Sequence, residues 1–82
     1  MTAMFSDNAK KILVHLQANP DAKETALQIA EATGVPVKSV NGIVTASFQR
    51  RGYAKREMAD DVKVIVLTEE GKSIDPNMEK PI

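Results

Sequence analysis

The sequence predicts a small α+β domain, mainly α, built as a three-helix core followed by a two-stranded β-hairpin. Three observations carry that prediction. Up to Arg51, apolar residues recur at the three- and four-residue spacing of amphipathic helices. Beyond Gly52 the pattern changes to short runs rich in β-branched residues, as in strands. Between these segments, Asn19-Pro20, Gly34-Val35-Pro36 and Gly52 supply the residues that end regular structure.

The first helix is expected over 6–18. Phe5, Ala9, Ile12, Leu13 and Leu16 form its apolar stripe, with Ser6 as N-cap and Asp7 near the positive end of the dipole. His15 falls off that stripe and reads as a surface residue. Met1, Met4 and Phe5 read as a hydrophobic cover for this helix, with a dimer contact as the alternative. A short extended piece is expected around Ala22–Glu24. The second helix starts at Thr25, because Thr25-Ala26-Leu27-Gln28 has the spacing of a capping box. It runs to Gly34 and presents small side chains at Ala26, Ala30 and Thr33. At barely two turns it needs tertiary packing to persist.

The third helix is expected from Val37 to Arg51. At 100° per residue, Val40, Val44, Ser47, Val37, Phe48 and Ile43 gather on one side. Lys38, Gly42, Thr45 and Gln49, with Asn41 on the flank, form an opposite face that is polar, small and free of acids. Tyr53–Met58 and Val62–Leu67 then read as antiparallel strands around Ala59-Asp60-Asp61. Thr68-Glu69-Glu70-Gly71 opens a short terminal turn. Residues 1–75 are expected to form one domain and 76–82 a flexible tail.

The joint between the second and third helices has a steric logic. Ala30 is small where the helices approach, Gly34 permits the sharp turn, Val35 plugs it, and Val40 and Ile43 pack back. The run Ala30-x-x-x-Gly34-Val35-x-x-x-x-Val40-x-x-Ile43 is the pattern of the DNA-binding helix-turn-helix. Downstream, Gln49-Arg50-Arg51-Gly52-Tyr53, a basic-led hairpin and Val66-Leu67-Thr68-Glu69-Glu70-Gly71 complete the motif. Over roughly residues 10–74 the chain resembles the winged helix-turn-helix of MarR-type transcriptional regulators. The resemblance implies a recognition helix that ends in a basic-glycine step, a two-stranded wing, and Leu-Thr-x-x-Gly opening the next helix. The chain departs from that pattern in two places. It leaves no residues for long flanking dimerisation helices, and the counterpart of the family's wing Asp-x-Arg is Asp61-Val62-Lys63, unusually close to Leu67-Thr68.

Composition bounds the function classes. There is no cysteine and a single histidine, so thiolate ligation, disulfides and imidazole clusters are excluded, and no metal or other cofactor is expected. No phosphate-cradling glycine loop or nucleophile–histidine pairing points to an enzyme. No apolar run approaches the length of a membrane span, and no secretory signal precedes the first helix. A cytoplasmic regulator, prokaryotic or phage, is the expectation. The net charge is zero, but it is unevenly distributed: residues 38–63 carry +3, residues 1–37 carry −1 and residues 64–82 carry −2. The positive side therefore coincides with the third helix and hairpin, an orientation DNA phosphates would select.

The expected function is sequence-specific binding of double-stranded DNA, with helix 37–51 in the major groove. Lys38, Asn41, Gly42, Thr45 and Gln49 are the candidate base readers. The amides suit bidentate pairing with adenine, the Thr45 methyl suits thymine, and Gly42 admits close backbone approach. Ser39, Arg50, Arg51, Lys55, Arg56 and Lys63 are the candidate phosphate contacts. Specificity from so small a module requires a homodimer or a protein partner on DNA, with half-sites about one helical turn apart. Plainer roles stand beside these. In them Lys55 and Arg56 protect an exposed strand edge, Arg50 and Arg51 complement the helix dipole, and Gly42 admits a neighbouring side chain. Glu57, Asp60 and Asp61 form an acidic turn that argues against a wing entering DNA. The alternative function is a winged-helix adaptor that binds protein.

Overall fold

The structure, a computed structural model, describes residues 5–77. The expectations for Met1, Met4 and the end of the tail, 78–82, fall outside the described residues.

Helix α1 spans Asp7–Ala18, and Ser6 caps it by accepting the Ala9 N–H on its Oγ at 3.2 Å. Ala9, Ile12, Leu13 and Leu16 are buried as the stripe requires. Phe5 is buried ahead of the cap. It meets Phe48 and Tyr53 edge-on, with ring centroids 5.9 and 6.1 Å apart, and so belongs to the domain's own core. Helix α2 spans Ala26–Thr33 with both capping-box bonds formed: Gln28 N–H to Thr25 Oγ1 at 3.1 Å, and Thr25 N–H to Gln28 Oε1 at 2.8 Å. Gly34 closes it at φ 78°, a left-handed conformation that glycine adopts without a Cβ penalty. Val35 is then buried against the core, which fixes the angle to the next helix.

That next helix is not uniform. Helix α3 is α-helical over Val37–Ile43, becomes a π-helix over Val44–Gln49, and regains α geometry at Arg50–Arg51. The Tyr53 N–H reaches the Phe48 carbonyl at 2.8 Å, a five-residue bond just beyond the π segment. The physical reason is visible in the spacing. Val40, Val44 and Phe48 stand four residues apart, and all three are completely buried. In an α-helix such a row drifts around the axis by about 40° per step. A wider π turn opposes the drift and keeps all three in the core. Val37, expected on the apolar side, is exposed at the first turn, where no element covers it.

Strands β1 (Ala54–Ala59) and β2 (Val62–Leu67) pair antiparallel from Ala54↔Leu67 to Ala59↔Val62. The turn is therefore two residues, Asp60 and Asp61, at φ 50° and 66°; Ala59 belongs to the strand and Tyr53 does not. Positive φ at both central positions matches the twist of a tight hairpin and is tolerated by aspartate. The extended piece near Glu24 adds to the sheet: the Ile65 N–H donates to the Glu24 carbonyl at 2.8 Å, forming an isolated bridge. This bridge also corrects the placing of His15. Its Nε2 lies 2.8 Å from Glu24 Oε1, and both side chains are about four-fifths covered, at 21% and 20% exposure. A helical wheel reports one helix's own pattern and cannot show that an extended segment will cover its flank.

Helix α4 spans Glu69–Ser73. The Thr68 hydroxyl accepts the Gly71 N–H at 3.1 Å and donates to the Gly52 carbonyl at 2.6 Å, joining the end of α3 to the start of α4. Gly71 is required by space, since a Cβ there would run into the Tyr53 carbonyl. From α1, the Gln17 amide donates to the Gly71 and Ile74 carbonyls at 2.9 and 2.6 Å. These bonds supply the logic of the Leu-Thr-x-x-Gly sequence: a cap, a tie and a close approach.

Candidate nucleic-acid interface

The π segment that keeps Val40, Val44 and Phe48 in the core aligns a second row one residue further on. Asn41, Thr45 and Gln49 also stand four residues apart, and all three are exposed. Lys38 and Gly42 are exposed on the same helix, and nothing lies within 4 Å of a Cβ built at Gly42. The domain itself therefore gives no packing reason for that glycine. Ser39 is half-buried.

Arg56 reaches this row from β1. Its Nε donates to Gln49 Oε1 at 3.1 Å and its Nη1 to Asn41 Oδ1 at 3.2 Å. Its Nη2 donates to Thr45 Oγ1 at 3.2 Å and, more weakly, to the Asn41 backbone carbonyl at 3.4 Å. One planar fork thus spans two helical turns, a task for which arginine's fixed donor geometry is suited. The sequence reading set Arg56 apart as a phosphate contact; the structure joins it to the proposed base readers. The signal lay in the strand alternation, because Arg56 shares a face with buried Ala54 and so turns toward the helices. Each amide oxygen already accepts one bond from Arg56, so two-sided pairing with adenine would compete with the guanidinium.

The remaining basic residues separate. Arg50 and Arg51 are exposed at the end of α3. Lys63 pairs with Met58 across the hairpin, so both share the face of Arg56. Lys55 occupies the opposite face, 3.8 Å from Glu57 Oε1, where it lines a shallow cleft with Lys23, Glu69 and Lys72. The expected acidic turn is divided in the same way: Glu57 faces away from α3, whereas Asp60 and Asp61 are exposed at the hairpin tip.

A helix-turn-helix with a hairpin packed beside its second helix defines the winged helix-turn-helix fold. Comparison with solved structures supports the fold at low sequence identity. The chain superposes on MepR, a transcription regulator of the Staphylococcus aureus multidrug efflux pump MepA, with a TM-score of 0.74 and 22% identity. That match covers 83% of this chain and 50% of MepR. It also superposes on AF1382 from Archaeoglobus fulgidus with a TM-score of 0.69 and 23% identity, covering 83% of this chain and 76% of the other. In sequence, 69 residues are 39% identical to the phenylalanine–tRNA ligase alpha subunit of Metallosphaera sedula. This stretch is 84% of the chain but only 14% of the ligase subunit. No family model matches the chain.

Proposed function

We propose that the domain binds double-stranded DNA in a sequence-dependent manner, as the reading module of a transcriptional regulator. The observation that carries this reading is the exposed, acid-free row Asn41–Thr45–Gln49, with Gly42 beside it and Arg56 bonded across it. The recognition helix enters the major groove, which is wide enough for an α-helix. Lys38 stands with the base readers at the start of the helix, Arg50, Arg51 and Lys63 flank it as phosphate contacts, and Ser39 can add a hydroxyl bond to a phosphate. Lys55, on the far side of the hairpin, has no part in this set. Two copies, or one copy and a protein partner, would read half-sites about one helical turn apart.

The test is a salt titration of binding to a labelled random-sequence duplex. DNA binding predicts a logarithmic affinity that falls with a slope of about −0.9 per phosphate contacted. An adaptor that recognises protein predicts no duplex binding at low salt, and this result would overturn the proposal.

A second reading is favoured by one observation, the 39% identity to a tRNA ligase subunit: the domain binds structured RNA. The same titration with transfer RNA separates the two. A-form RNA has a major groove too deep and narrow for side chains to read, so a preference for RNA would shift the contact to loops and single strands.

A further inference from the structure

The bonds of Arg56 fix which chemical groups the recognition helix can present. We infer that Arg56 is a specificity-determining residue: it turns the acceptor oxygens of Asn41 and Gln49 toward itself, leaves a face dominated by donors, and so sets the domain to read guanine in preference to adenine. This rests on the DNA-binding reading above.

A side-chain amide carries one acceptor oxygen and one donor nitrogen, and bidentate pairing with adenine uses both: it donates to N7 and accepts from the N6 amino group. Here Asn41 Oδ1 and Gln49 Oε1 each accept from the guanidinium. The reverse amide orientation would set NH2 groups against N–H donors, so the polarity is dictated by Arg56. Each of the amide oxygens thus uses one of its two lone pairs within the domain, whereas the NH2 group of each amide, the Thr45 hydroxyl hydrogen and one Nη1 N–H of Arg56 have no partner among the described residues. The wholly unused groups are donors. Guanine is the base that shows two acceptors, O6 and N7, in the major groove, whereas adenine and cytosine each show an amino donor. The guanidinium charge acts in the same direction, repelling those amino groups and attracting O6. Lys38 at the start of the helix, exposed and itself a donor, extends the pattern.

The experiment is selection of bound duplexes from a randomised pool, with the full chain and with Arg56→Met, which keeps the length of the side chain but removes the fork. The wild type should enrich guanine at the positions under α3 by on the order of tenfold over adenine. Arg56→Met frees both acceptor oxygens and should shift those positions toward adenine. Asn41→Asp still accepts from Arg56 but offers no donor, and should lose the guanine preference at its own position only. Circular dichroism establishes that each variant keeps its helices. An adenine preference in the wild type, or a preference that Arg56→Met leaves unchanged, overturns the inference and leaves DNA binding intact. Absence of binding to every duplex overturns both.

Discussion

Arg56 and Asn41 are bonded twice across fifteen residues of sequence: Nη1 to the side-chain Oδ1 at 3.2 Å, and Nη2 to the backbone carbonyl at 3.4 Å. The wing and the recognition helix are therefore one surface. A residue on the hairpin decides how a residue on the helix is oriented, and neither can be assigned a role alone.

Gly42→Ala separates folding from binding. With open space at the Cβ position and an ordinary helical backbone, alanine should stabilise the free domain by up to about 1 kcal/mol, measured by denaturant unfolding. If the glycine serves close approach of DNA, the same variant should bind duplex several-fold more weakly. A gain in both stability and affinity would remove Gly42 from the interface.

Arg50→Gln and Arg51→Gln should each flatten the salt dependence of duplex binding by about one unit of slope while leaving base preference unchanged. The check is the titration described above, repeated for each variant. An unaltered slope would assign these side chains to the negative end of their own helix.

Thr68→Val removes a hydroxyl that accepts from Gly71 and donates to Gly52. Loss of an N-cap with its tie should destabilise the domain by about 1–2 kcal/mol. Thermal unfolding of the variant measures it, and a change within a few tenths would show that water replaces both bonds.

Asp61→Gly addresses the hairpin tip. Asp61 has φ 66°, and glycine relieves that conformation while keeping the two-residue turn, so stability should rise by about 0.5–1 kcal/mol. The substitution also removes a carboxylate. An accompanying rise in duplex affinity, greater at low salt, would place the tip near phosphates; unchanged affinity would place it outside the interface.

Phe48→Ala tests the core that sets the recognition helix. Phe48 is fully buried and packs edge-on against Phe5. Truncation should destabilise the domain by about 3–5 kcal/mol, a large share of what a domain of this size can hold. Denaturant unfolding should show the midpoint moved to much lower denaturant with the slope of the transition unchanged.

Much of the fold is determined by local signals in the chain. Ser6, the Thr25–Gln28 box, Gly34 and Thr68 cap the helices because each supplies a short-range partner for a backbone group a few residues away. The apolar stripe of α1 and the change of period after Gly52 likewise depend on spacing alone. Even the π segment had a trace, in the two four-residue rows Val40–Val44–Phe48 and Asn41–Thr45–Gln49, although a helical period by itself does not distinguish a widened turn. Other features exist only once distant segments meet. His15 is covered because Glu24 bridges to Ile65, and Gly71 is needed because the Tyr53 carbonyl lies where a Cβ would stand. Lys55 and Arg56, adjacent in sequence, point to opposite faces of one strand, and packing against the recognition helix gave only Arg56 a role on the candidate reading face. Sequence supplied the donors and acceptors; tertiary contact selected which of them remain free, because an N–H or lone pair bonded within the domain is offered to a partner only by giving up that bond.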